Sequence, residues 1–277
     1  MRRAFGEPVK VSSQPDTLLD ERLPRPMNEP TPLSRSFGYQ SVDEREREQR
    51  IRRVFSAVAA RYDLMNDLMS FGIHRLWKRR FVRMAAPQAG QHIVDLAGGT
   101  GDVAALMAAA DRRVTVVDPS AEMMAVGQAR GHAHVDWQVG SAEQLPLADA
   151  SVDTLTISFG IRNATRIDVA LREIHRVLKP GGRFLCLEFS TPAWWLRPFY
   201  NLFSFTVIPR LGAWIANSPE AYTYLVESIR RFPDQRGFAA MISAAGFESV
   251  RWHDLSFGIA CVHVGTRAAA ATPAGTA

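Results

Sequence analysis

Apolar positions follow two regimes along the chain. From Asp43 to Ser70, DEREREQRIRRVFSAVAARYDLMNDLMS opens charged and turns amphipathic, with Ile51, Val54, Phe55 and Val58 at helical spacing. A second helix is predicted over HRLWKRRFVRMAA (74–86), with Pro87 and Gly90 marking a linker after it. From Gln91 onward short β-branched runs alternate with helix-forming stretches: HIVDL, RVTVVD, VDWQVG, VDTLTISF and GGRFLCLEF, with RIDVALREIHRVL before the last. That alternation implies βαβ units and a parallel sheet covered on both faces. A long insertion follows Phe189, then helices near 219–230 and 234–245, then the runs FESVRWHDL and GIACVHVG. The turn joining these two runs is too short for a crossover, so they run antiparallel. No internal repeat is present.

Composition narrows the class. A chain of 277 residues can bury a full core, and its formal charge of +5 suits an anionic partner, nucleic acid or membrane, or mere solubility. Cys186 and Cys261 sit in apolar, strand-like runs without metal-ligand spacing, so they read as buried reduced thiols, as in a cytosol. No apolar run reaches the ~18 residues of a membrane span. Residues 1–40 are rich in Pro, Ser and Arg and read as a disordered tail. Glu7, Asp16, Asp20, Glu21 and Glu29 argue against a transit peptide. The expected organisation is one domain over 41–267, with a helical cap (41–86) and a lid-like insertion (190–218), and a second tail over 268–277.

The glycine loop in HIVDLAGGTGDVAAL (92–106) follows a strand and opens a helix. GTGDVA satisfies only a loose dinucleotide fingerprint, and no Lys-Ser/Thr follows, which excludes a phosphate-cradling hydrolase loop. A pyrophosphate favours a helix N-terminus without carboxylates, yet Asp95 precedes the loop and Asp102 stands in the first turn. Beside a cationic ligand both would be favourable. The plain alternative is that Asp102 caps the helix. Asp118, in VTVVDPS, ends the next strand, where a carboxylate can accept both ribose hydroxyls; the alternative is an N-cap, a role open to Ser120 too. The ligand so defined is a cationic nucleoside without phosphates, which describes S-adenosylmethionine.

Several segments resemble one family. VFSAVAARYDLMNDLMSFGIHRLWKRRFV, VDLAGGTGDVA, GSAEQLPLADASVDTLTISFGIRN, LREIHRVLKPGGRFLCLEFS and AYTYLVESIRRFPDQRGFAAMISAAGFESV together resemble the demethylmenaquinone and 2-methoxy-6-polyprenyl-1,4-benzoquinol C-methyltransferases of quinone biosynthesis. The resemblance covers residues 37–267; LMSFGIHRLWK and ISFGIRN are its specific parts, whereas LKPGG and the glycine loop occur in many class I methyltransferases. It implies an α/β fold of the Rossmann-like class I methyltransferase type, a seven-stranded mostly parallel sheet with a reversed last strand. It also implies S-adenosylmethionine as methyl donor with no metal, held by Gly99 and Thr100, by Asp118, by Ser141 and Ala142 in GSAEQLP, and by Ser158 in TISFG. Ser141 departs from the family, where Asn is frequent.

Methylating a ring carbon needs an electron-rich arene, so the expected acceptor is a prenylated quinol rather than a quinone. Loss of a phenolic proton, pKa about 10, sharpens the nucleophile. Arg162 in FGIRN is the candidate to stabilise a developing phenolate, or else a salt-bridge partner. Tyr62 in ARYD is the candidate proton relay, or else a packed tyrosine; Asn163 is a candidate partner of a ring oxygen, and His74 reads as structural beside Trp77. The insertion, with Trp194, Trp195, Phe199, Tyr200, Phe203 and Phe205 beside Arg197 and Arg210, suits a prenyl tunnel or peripheral contact at the inner face of a membrane, or else an ordinary lid. A cytoplasmic enzyme without nucleic-acid contact is expected, since DEREREQR interrupts the basic stretches and no aromatic-and-basic platform is evident. A class I methyltransferase for another phenol or lipid, an RNA methyltransferase and a nicotinamide dehydrogenase are the rival readings; oligomeric state is left open.

Overall fold

Asp43 starts the first helix: its carboxylate accepts the Glu46 N–H at 2.8 Å and caps α1 (Glu44–Val58). The computed structural model describes residues 32–59, 66–67, 70–207, 210 and 219–269. Most of the sequence-predicted tails therefore lies outside the described residues, but its last part does not. Ser36–Phe37 (β1) and Gln40–Ser41 (β2) form a small antiparallel hairpin inside the stretch expected to be disordered. Phe37 stacks on Tyr224 with ring centroids 4.3 Å apart, and Arg47 Nε donates to the Ser36 carbonyl at 2.9 Å. One buried aromatic leaves no periodic signal, so a hairpin held by a contact 187 positions away escapes pattern reading.

The helix over the second basic run is α2 (Ile73–Ala85), which buries Trp77, Phe81 and Ala85. Five strands follow in parallel: β3 (His92–Leu96), β4 (Arg113–Asp118), β5 (Val135–Val139), β6 (Val152–Ser158) and β7 (Leu178–Phe189). Between them run α3 (Asp102–Met107), α4 (Ala121–Ala129) and α5 (Ile167–Val177). After β7 come α6 (Arg197–Leu202), a π-turn (Phe203–Val207), α7 (Pro219–Arg231), α8 (Gln235–Ala244), β8 (Phe247–Leu255) and β9 (Ala260–Arg267). The sheet order is β5-β4-β3-β6-β7-β9-β8, and β9 runs antiparallel to both neighbours. The reversed strand is the last one, as the short closing turn requires.

Alternation along the strands divides the core into two layers. Val94, Leu96, Leu155 and Ile157 pack with Ile167, Leu171 and Ile174 of α5 and with Phe238 and Ile242 of α8. Ile93, Val114, Val116, Leu185 and Leu187 pack with α2 and with Val103, Ala104 and Met107 of α3. Cys186 and Cys261 are both free and fully buried in these strands. The order reverses between β3 and β6, which places a crevice over their carboxyl ends.

Trp137 of β5 packs against the glycine loop and α4, where two glycines leave room for it. A Cβ on Gly101 (φ 79°) would come within 2.6 Å of the indole, and one on Gly127 of α4 within 2.3 Å of it and 2.5 Å of the Thr100 carbonyl. Gly127→Ala is therefore expected to displace the glycine loop and to cost about 1–3 kcal/mol of stability, read as a lowered Tm together with weakened binding of the methyl donor by calorimetry.

Candidate active site

The loops leaving β3, β4 and β6 and the one after β5 line a cavity of about 350 Å³. Gly99, Thr100, Asp118, Ser141, Ala142 and Ser158 all contribute to its wall. The sequence alone did not show that α1 closes this cavity, with Glu44, Arg45, Glu48, Ile51, Arg52 and Phe55 along its rim.

Several backbone amides around the glycine loop are already engaged. Asp118 accepts the Gly99 N–H at 2.9 Å through Oδ2 and the Ser120 N–H at 2.8 Å through Oδ1. The Gly101 N–H goes to the Gly98 carbonyl, and the Ala104 N–H goes to Asp95 at 3.1 Å. Ser120, not Asp118, caps α4 by accepting the Met123 N–H at 3.2 Å. Asp118 is thus free of the capping role and stands at the cavity wall, its carboxyl raised by burial against those two amides.

Two electrostatic expectations change. Asp95 does not face the cavity: it is fully buried on the α3 side of β3, where it accepts from Thr156 Oγ1 at 2.8 Å and from Ala104. Strand alternation turns it to the layer of Ile93, beneath α3. Burial pushes its carboxyl up to about 7. Asp102 does reach the wall, but it makes no capping bond and pairs with Lys78 at 3.2 Å and Arg130 at 3.1 Å. Burial would raise its carboxyl, yet these cations outweigh burial and hold it below the usual range. Bias against a diphosphate therefore rests on Asp118 and on the spent amides, not on a pair of bare carboxylates. Ser141 Oγ donates to Glu143, with the Glu143 N–H returning to it at 3.2 Å, so its side chain shapes the loop.

A second, apolar cavity of about 270 Å³ adjoins the first, and Phe55 and Phe159 line both. Arg162 borders it, nearly buried, with Nη1 donating to Glu188 Oε1 at 2.9 Å and to the Phe159 carbonyl. Its Nε is buried without a partner. Burial raises the Glu188 carboxyl and Arg162 opposes that rise. Asn163 lines the first cavity, and its Oδ1 accepts the Tyr224 hydroxyl at 3.0 Å. Arg47 ties α1 to this turn, donating to the carbonyls of Arg162 at 3.1 Å and Asn163 at 3.0 Å. Tyr62 lies outside the described residues. Glu188 had a signal in the sequence, a lone carboxylate inside the apolar run RFLCLEF; Arg47, one of many charges in α1, had none.

The insertion is divided between two environments. Tyr200 and Phe203 line the apolar cavity, whereas Trp194, Trp195, Phe199, Leu202 and Phe205 are exposed. Arg230 of α7 anchors it, lying over the rings of Tyr200 and Phe205 and donating to Ser204 Oγ at 2.8 Å. Among the described residues no cluster of His, Cys, Asp and Glu is arranged to hold a metal.

Reversed-strand sheet and crevice define the class I methyltransferase fold. A solved S-adenosylmethionine-dependent methyltransferase of Thermotoga maritima shares the fold with a TM-score of 0.58 at 21% identity, over 78% of this chain and 99% of that one. The [4+2]-cyclase SpnF shares it equally, TM-score 0.58 at 16% identity over 80% and 96%, so fold alone leaves the reaction open. Sequence decides more: the chain belongs to the ubiE/COQ5 methyltransferase family, matched over residues 43–267. It is 51% identical over 245 residues to the ubiquinone/menaquinone biosynthesis C-methyltransferase of Caulobacter vibrioides, covering 84% of this chain and 97% of that protein. The protein of that name in Paracoccus denitrificans is 50% identical over 242 residues, 84% and 97%.

Asp95 yields a pH prediction. Its carboxyl titrates at about 7 here against 3.8 when unfolded, so between those values the folded state binds the extra proton and stability falls as pH rises, then levels. Asp95→Asn removes that slope; urea unfolding should show a variant gaining on the wild type from pH 5 to pH 8 by about 2–3 kcal/mol.

Proposed function

We propose that the protein transfers a methyl group from S-adenosylmethionine to a ring carbon of a prenylated naphthoquinol or benzoquinol, the chemistry carried in its relatives' names. The observation that carries this reading is the pair of adjoining cavities, one polar and rimmed by Asp118, one apolar and bordered by Arg162. S-adenosylmethionine, when bound, supplies an electrophilic methyl on a sulfonium. The chain's residues fit that ligand: Asp118 offers carboxylate oxygens to ribose hydroxyls, and Gly99, Thr100, Ser141, Ala142 and Ser158 line the rest of its space. The amides spent on Asp118, Asp95 and Gly98 leave little for a phosphate.

Arg162 holds its fixed charge at the wall where a ring oxygen gains negative character. Glu188 beneath it keeps that guanidinium from swinging away. Asn163, gripped by Tyr224, faces the methyl-donor side of the same turn. Phe55 and Phe159 exclude water from the junction, so alignment of ring carbon and methyl supplies much of the rate. Purified protein should methylate the reduced forms of demethylmenaquinone and 2-methoxy-6-polyprenyl-1,4-benzoquinone, detected by product mass, and leave the oxidised forms untouched. Arg162→Gln should lower kcat by about 100-fold or more with donor affinity kept; equal turnover of quinone and quinol would remove the reading.

We infer in addition that the protein works at an anionic membrane surface. Trp194 (79% exposed), Phe199 (70%), Leu202 (66%) and Phe71 (76%) present large apolar groups to solvent, and Phe71 touches Phe203 at 5.7 Å, which joins the insertion to the start of α2. Exposed Arg75 and Arg210 belong to the same segments. Among the described residues no helix is long and apolar enough to cross a membrane. In flotation with vesicles containing anionic lipid, the full chain should rise with the lipid, and W194A/W195A should lose at least half of the bound fraction.

A further inference from the structure

Resting on the quinol reading, we propose that Ser70, His74 and Asp67 form the path by which the phenolic proton leaves the apolar cavity. Ring methylation releases one proton net, and the cavity that would hold the ring is otherwise poor in groups that accept one. Among its described lining residues, Arg162 is already charged and donates only. Tyr200 and Tyr224 have hydroxyls raised by burial, so both stay protonated. Trp77 donates its Nε1 hydrogen to Ser256 Oγ at 2.9 Å. His74 is the described lining residue that can take up a proton near neutrality, and Ser70 lies beside it on the same wall.

The wiring has a direction. Ser70 Oγ and His74 Nδ1 are 2.8 Å apart, and His74 Nε2 faces Asp67 Oδ1 at 3.8 Å. The carboxylate favours the tautomer with hydrogen on Nε2, which leaves Nδ1 to accept from the serine hydroxyl once that hydroxyl turns from the Asn66 carbonyl, to which it donates at 2.6 Å. A quinol O–H then breaks toward Ser70 Oγ while the serine's own hydrogen passes to Nδ1, giving a phenolate and an imidazolium. Atoms and charge balance without any further reactant. Asp67 is held by both terminal groups of Arg75, Nε at 2.6 Å, and its side chain is 29% exposed, so the imidazolium sits against a carboxylate open to water. His74 is buried, with Lys78 and Arg75 opposing its charge and Asp67 and Asp102 favouring it; burial wins and lowers its pKa from the ordinary value. The imidazole is therefore neutral and ready to accept at neutral pH. The turn at Phe71 and Gly72 before α2 folds Asp67 and Ser70 back onto His74, which lines the three up from cavity to solvent.

Two measurements on the full chain test this. In the pH profile of quinol methylation, kcat of the wild type should fall on the acid side with an inflection below about 6.5, as the imidazole is protonated. His74→Gln should lower kcat roughly 100-fold with KM within about threefold, and should abolish that acid limb. Ser70→Ala should lower kcat while keeping the limb. Asp67→Asn should move the limb to lower pH, because losing the carboxylate disfavours the imidazolium. The His74 ring titration, followed by NMR without any ligand, should shift the same way in Asp67→Asn. An H74Q enzyme that retains the acid limb, an unchanged kcat in S70A, or an unmoved ring titration in D67N overturns the proposal; should H74Q not fold, D67N decides alone. A wild type that methylates no quinol at all would instead overturn the parent reading.

Discussion

One buried ion pair governs the geometry of both cavities. The side chains of Arg162 and Glu188 are 5% and 1% exposed, and bringing two charges that far out of water costs several kcal/mol per ion before attraction returns any of it. Such a pair is a poor way to stabilise a fold and a good way to fix a position. The turn after β6 shows what is fixed. Phe159 is held at φ 56°, an uncommon conformation for a bulky residue, and its carbonyl accepts from Arg162 Nη1. Phe159 is one of the two side chains that line both cavities, so the strained residue and the ion pair together set the partition between them. Arg47 and Tyr224 then attach α1 and α7 to the same turn.

That arrangement separates the charges a methyl transfer has to manage. On the polar side Asp118 offers a carboxylate while the neighbouring amides are occupied, which suits a nucleoside and not a diphosphate. On the apolar side a guanidinium borders the ring space. In the proposed reaction the sulfonium would be neutralised in one cavity as a partial anion is steadied in the other. His74 and Ser70, the proton path proposed above, stand in the wall of the second cavity, distant in sequence from the glycine loop.

The alternation of β-branched runs and amphipathic helices located every strand of the large sheet, because period-2 and period-3.6 patterns are properties of short segments. The same reading placed Asp118 and Ser158 at strand ends, and both line the first cavity. Long-range pairing was beyond it. Nothing local says that Asp95 packs under α3 while Asp118, on the same face but farther toward the carboxyl end of the sheet, reaches the cavity. Nor could spacing show that Lys78 and Arg130, from two different helices, converge on Asp102. The hairpin at Ser36–Ser41 is the extreme case, a two-residue strand pair whose order comes from Tyr224. His74 was read as structural on the strength of Trp77 beside it; its partners Ser70 and Asp67 become meaningful only once that helix turn is seen to border a cavity.

Size completes the argument about substrate. At about 270 Å³ the apolar cavity lies near the lower limit of small-molecule sites, enough for a fused ring head and too little for a polyprenyl chain as well. The chain must therefore run along apolar surface outside. Tyr200 and Phe203 belong to the cavity while Phe199 and Leu202, one turn away or less, face solvent, so the insertion offers a continuous path from ring site to exterior. In water those exposed groups would be a liability. At the membrane surface proposed above they would bury apolar area, and the tail would not have to leave the lipid for the ring to reach Arg162. An amphiphile's two halves are thus accommodated by two faces of one short segment, with Arg230 holding it in place through Tyr200, Ser204 and Phe205.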